Sequence, residues 1–401
     1  MSRLAVAVGL ISFVVVALAF QGGDLSPQSQ VNLAFAAESQ YDEALAGLGH
    51  RWPPLYPSLL WAAARIGIPP DTTNLLLFLV TLAALVPAAR WAAPAVHPGF
   101  PVVLYAACAF NYWNLHQTVS EALLIPLALG VLLLAERCRR DDLAGTASMR
   151  DLAALTALAA AACLTRYFAI FWLLPLVAWS AAGPPGSRQL PRAGAILAIA
   201  AAPVGLWMAH ARSVSGHVTG MDRFAPRSFD TLTTFTANLE LTARTLVLDW
   251  FGTAGPASHA ALRGSWQPSM LDAGLFALAS AGIVACGVAG LRAVRDGTPS
   301  PPRPRAAGLL LGFSAGHVGW VVLLWTLGNN DPIYSRFLYP SYVFFLLAGF
   351  HAYSNVKLCG DSGVRATRLR APFVALFALV LTVQALSTLG ALWPAIARAG
   401  G

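Results

Sequence analysis

Charge is what this 401-residue sequence has least of: Asp, Glu, Lys and Arg together make up 11% of it, against about a quarter in soluble globular domains. With 57% hydrophobic residues and a mean hydropathy of +0.62, too little polar surface remains to cover a water-soluble globule. The sequence therefore reads as an all-α polytopic membrane protein. Cysteine is also scarce. Cys108, Cys163 and Cys286 fall inside apolar runs and Cys138 and Cys359 beside basic segments, with no CxxC pair, so neither a disulfide framework nor a thiolate metal site is expected. The eight histidines are dispersed singly, and HExxH, GxSxG, P-loop and dinucleotide fingerprints are absent, which argues against zinc hydrolysis, nucleotide hydrolysis and hydride transfer. The net charge of +8 and pI near 9.6 come from arginines scattered singly or in short groups between apolar runs. That distribution fits cytoplasmic loops and gives no nucleic-acid partner.

What is present is a series of apolar runs. A spanning helix needs about 20 mostly apolar residues to cross about 30 Å, and such runs start near residues 4, 73, 99, 119, 151, 193, 271, 306, 336 and 371, with a shorter one at 168–182. Residues 4–20, after Arg3, read as a retained signal anchor; a cleaved signal ending at the small residues 17–19 is the alternative. The apolar stretch 55–68 is expected to be a helix lying in the interface, because at about 1.5 Å per residue it reaches only about 21 Å. Without it as a span, the loops separate by charge. One side holds sixteen of the 26 basic residues and only six of the 18 acids, so that side is expected to be cytoplasmic. The expectation is a single domain over 1–401, a bundle of about 11 transmembrane helices with two large extracytoplasmic loops, 21–71 and 212–270.

On this topology the outer face gathers Asp42, Glu43, His50, Arg51 and Tyr56 from "YDEALAGLGHRWPPLYP", Ser120 and Glu121 at a helix start, Arg166 in "LTRYFAIFW" and Arg336 in "IYSRFLYP". Ionisable groups at such positions are costly unless paired or used. Each has a plainer reading. Glu121 suits the positive end of a helix dipole, Arg166 suits a buried ion pair, Arg336 suits an interfacial anchor, and Asp42 with Glu43 suits a solvated loop. Against the last stands the turn Pro53-Pro54, which fixes the chain direction beside the membrane. A carboxylate held there is suited to act as general base for a hydroxyl, and outer arginines are suited to hold a phosphate bidentately.

Taken in order, "YDEALAGLG", "HRWPPLYPSLL", "SEALLIPLALGVLLLAER", "LTRYFAIFWLLPL" and "SRFLYPSYVFFLLAG" resemble the polytopic GT-C glycosyltransferases, in particular the bacterial branch related to protein O-mannosyltransferases and the lipid A aminoarabinose transferase. The resemblance implies transfer of a sugar from a polyprenyl-phosphate donor to a lipid, glycan or protein hydroxyl on the outer face of a bacterial plasma membrane. It implies Asp42 as the catalytic acid of the first loop and Glu43 as its support. His50, Arg51 and Tyr56 then line the donor site, Glu121 loosely matches a second acidic position, and Arg166 and Arg336 face the phosphate. Metal dependence varies within that superfamily, so a divalent metal ion is left open. Loop 212–270 is the expected acceptor surface, or simply an ordered outer loop. The alternative function is a transporter or flippase of a polyprenyl-linked glycan, which calls for ionisable residues nearer mid-membrane and for repeated broken helices. A third reading is a glycan polymerase or ligase sharing the same leaving group.

Overall fold

A computed structural model describes residues 27–38, 40–41, 53–106, 119–143, 146, 148–167, 169–171, 173–174, 177, 190–219, 231–250, 270–295, 304–326, 335–358, 370–380 and 382–383. Among these, all regular structure is helical and none is strand. In chain order the helices are α1 (Pro27–Ala37), α2 (Leu55–Arg65), α3 (Pro70–Ala92), α4 (Gly99–Ala106), α5 (Glu121–Leu143), α6 (Met149–Thr165), α7 (Leu190–Ser215), α8 (Thr231–Trp250), α9 (Met270–Arg295), α10 (Pro304–Thr326) and α11 (Ser335–Leu358), followed by α12 (Arg370–Val380). Among the described residues, three helices are long and apolar enough to cross a membrane, over Pro70–Ala92, Pro191–Ser215 and Leu309–Thr326. The signal anchor expected at 4–20 and most of the run 168–182 lie outside the described residues.

Local chemistry sets the helix ends. The helix α2 stops in a Schellman turn: the amide of Gly67 bonds the Ala64 carbonyl and that of Ile68 bonds the Ala63 carbonyl, with Gly67 at φ +80°. Only glycine adopts that backbone without a Cβ penalty. Pro69 and Pro70 follow and open α3, whose first turn carries Asp71 and whose last turn carries Arg90, each at the dipole end that suits it.

The core runs through α3 to α7 and α9 to α12 and is rich in alanine, including the fully buried Ala88, Ala92, Ala128, Ala159 and Ala162. Small residues let helices approach closely. At Gly130 a Cβ would come to 3.0 Å from Leu158 Cδ1, so α5 and α6 approach closely there and a larger residue would require Leu158 to shift. The outward faces are apolar instead: Ile199 and Leu206 on α7 are 63% and 74% exposed, and Val284 on α9 is 65% exposed.

One set of helix ends is tied by ions. Arg192 on α7 donates from both terminal nitrogens to Asp142 on α5, at 2.9 and 3.1 Å, and Arg137 on α5 reaches Asp151 on α6 at 2.9 Å. These are the ends where the sequence concentrates basic residues. At the same end His351 Nδ1 meets the Ala92 carbonyl at 2.5 Å, beside a bond from the Ala95 amide to Ser354 Oγ.

Two expectations need amending. The segment 21–71 holds α1 as well as the expected short helix. Arg65 donates to the carbonyls of Ala36, Ala37 and Glu38, closing the C-terminal end of α1, and Trp61 Nε1 donates to the Glu38 carbonyl. The segment 212–270 is not simply loop, since α8 packs Leu241 and Leu246 against Val321, Trp325 and Leu338 of α10 and α11. Asn238 Nδ2 also donates to Thr326 Oγ1 at 3.3 Å. Threonine makes the "TLTTFTANLELTARTL" stretch look like neither span nor helix, because its branched side chain lowers helix propensity. Thr245 Oγ1 instead satisfies itself on the Leu241 carbonyl at 2.7 Å.

Candidate functional site

At the opposite ends of the same helices lies a buried polar cluster. Val119 and Ser120 lead into α5, so Glu121 occupies its first turn, where the carboxylate meets the positive end of the helix dipole. Helix α6 ends at Arg166, whose backbone turns extended at φ −148°, ψ 118° while its amide still bonds the Ala162 carbonyl at 3.0 Å. Trp207 Nε1 of α7 donates to Tyr167 Oη at 3.0 Å and fixes this turn against its neighbour. The result is an ion pair between Arg166 Nη2 and Glu121 Oε1, formed across 45 residues of sequence. Arg166 and Glu121 are 4% and 1% exposed, so the pair is sealed from solvent. Glu121 Oε2 has no hydrogen-bond partner among the described residues.

Two further polar pairs flank it. Tyr56, fully buried at the start of α2, donates its hydroxyl to Asn74 Oδ1 of α3 at 2.6 Å. Burial pushes the phenol well above its ordinary pKa, and the negative charges of Glu121 and Asp71 act in the same direction, which keeps Tyr56 a neutral donor. On the other side His317 of α10 meets Ser341 of α11, Nδ1 to Oγ 2.5 Å, near enough to Arg166 for the guanidinium charge to bear on the imidazole.

The structure thus brings together three residues singled out from the sequence, Tyr56, Glu121 and Arg166. The plainer alternative for Arg166, a buried ion pair, is the arrangement found. Arg336 lies in the first turn of α11, two residues before the buried Leu338, and its side chain lies outside the described set. Asp42, Glu43, His50 and Arg51 lie outside the described residues. Their N-terminal flank is anchored: Tyr41 Oη is 2.8 Å from Ser58 Oγ, and its ring meets Phe35 and Trp61 edge-on. Sequence reasoning missed His317 and Asn74. The available signal for His317 was a lone ionisable residue in the apolar run "FSAGHVGWVVLLW".

Chemically, the cluster offers one cation, one carboxylate oxygen with spare acceptor capacity, a neutral phenol and an imidazole. Among the described residues no three His, Cys, Asp or Glu side chains come together as metal ligands. Tyr56→Phe removes the donor to Asn74 in a dry site and is expected to destabilise the protein by about 1–3 kcal/mol. Thermal unfolding in detergent checks this, and an unchanged midpoint contradicts it. No family model, no curated protein and no solved structure matches the chain.

Proposed function

We propose that the chain is an integral-membrane glycosyltransferase of GT-C-like architecture, with about 11 spans and its active site facing outward from a bacterial plasma membrane. It moves a sugar from a polyprenyl-phosphate donor to a hydroxyl on a lipid, glycan or protein. The observation that carries this reading is the convergence of Tyr56, Glu121 and Arg166 from three separate segments at one level of the bundle. The anchoring of Tyr41 on α2 supports it, because the next two residues are the acids Asp42 and Glu43. In the proposed reaction Asp42 takes the proton of the acceptor hydroxyl as its oxygen attacks the anomeric carbon. The bond from that carbon to the phosphate oxygen breaks, and the phosphate leaves with the electron pair. Positive charge stabilises the leaving group most where it develops. Arg166 and Arg336 are the cations proposed for that role.

A specific observation favours a second reading. His317 lies well inside α10 and is buried beside Arg166, and an intramembrane ionisable residue of that kind is typical of transport paths. Reconstitution into liposomes with a labelled polyprenyl-linked sugar separates the two. The enzyme reading expects sugar transfer with no change in leaflet distribution, and leaflet exchange without transfer would replace it with the transporter.

The topology has its own test. In the variant Ser300→Cys, between α9 and α10, the thiol is expected to resist impermeant reagents in intact cells and to react after lysis. Ready labelling in intact cells would invert the orientation of every helix and remove the active site from the outer face.

A further inference from the structure

We propose that the Glu121–Arg166 site binds an anion and a proton together: a singly charged phosphodiester replaces Glu121 on the Arg166 guanidinium, and Glu121 takes up one proton as it is displaced. The inference rests on the lipid-phosphate reading above and adds to it the ionic state of the site.

Arg166 and Glu121 are both buried, and as found their charges cancel. A phosphodiester bears one negative charge, as the carboxylate does, so it can take over the guanidinium without changing the count on that side. The displaced carboxylate then has no counter-charge in surroundings that stabilise ions poorly, and it repels the incoming anion. A proton from the aqueous phase, added to Glu121, removes both penalties. The site then holds one guanidinium, one phosphodiester and one carboxylic acid, with net charge zero before and after.

The geometry gives the proton a place. Glu121 Oε2 is buried and has no hydrogen-bond partner among the described residues, while Oε1 is engaged by Arg166. The other groups facing the pair are poorer acceptors for it. Tyr56 on α2 is a donor already committed to Asn74, and Asp71 on α3 acts on Tyr56 through its negative charge. His317 on α10 already has its Nδ1 engaged with Ser341 Oγ.

The test uses the full-length protein in detergent with didecyl phosphate as the phosphodiester. Titration calorimetry in buffers of different ionisation enthalpy, from pH 6 to 9, counts the protons taken up. Wild type is expected to bind with uptake approaching one proton in the upper part of that range, where affinity falls about tenfold per pH unit. Glu121→Gln is expected to bind with no uptake and no such slope. Dimethyl phosphate, which lacks the chains, is expected to bind more weakly with the same proton count if the natural anion is lipid-borne; equal or tighter binding would assign the site to a soluble anion. Wild-type binding without proton uptake, or uptake that persists in Glu121→Gln, overturns the inference and leaves the lipid-phosphate reading standing. No binding at any pH overturns both. Should Glu121→Gln not fold, the wild-type proton count decides alone.

Discussion

Glu121→Ala is expected to cost the protein about 3–5 kcal/mol of stability, because it leaves Arg166 charged in a site that is 4% exposed. The loss should be specific to breaking the pair. In the double variant Glu121→Leu/Arg166→Leu, where neither charge remains, most of the stability is expected to return, since a buried ion pair roughly balances its own desolvation. Unfolding of both variants in detergent, completed as a double-mutant cycle with Arg166→Leu, measures the coupling. A Glu121→Ala midpoint equal to wild type would mean that water reaches Arg166 and that the site is not dry. The recovered double variant is also a tool, since it should fold yet bind no phosphodiester.

Asp42→Asn is expected to reduce sugar transfer by about 10²–10⁴-fold, the range of a positioned general base, and to leave the stability within about 0.5 kcal/mol of wild type. Asparagine keeps the size and one acceptor oxygen of aspartate but cannot take a proton at neutral pH. The paired readout matters: loss of both activity and stability would make Asp42 a structural residue. Near-wild-type activity would sink the proposed base and leave Glu43 as its replacement in the same loop.

Much of the helix placement was legible in the sequence because long apolar runs and their charged ends announce it. The runs expected near 73, 119, 151, 193, 271, 306 and 336 correspond to helices beginning at Pro70, Glu121, Met149, Leu190, Met270, Pro304 and Ser335. The short helix after the Pro-Pro turn was legible from length alone. Helices α1 and α8 were not, since neither has the length and apolarity of a span and both depend on tertiary contacts: Arg65 closing α1, and Leu241 and Leu246 against α10. At the site, the costs of Glu121 and Arg166 in apolar surroundings marked both residues. Their pairing was open only as an alternative, because a partner 45 residues away is chosen by helix packing and not by spacing. Asn74 was hidden in the polar start of α3, and His317 among histidines judged singly as metal ligands.

Transfer itself is the most direct test of the proposed enzyme. Purified protein is supplied with a panel of radiolabelled polyprenyl-phosphate sugars and a membrane extract as the source of acceptors. At least one donor is expected to lose its label to an acceptor, with polyprenyl phosphate released in equal amount. Recovery of every donor intact, by protein that still binds the lipid phosphate, would contradict it.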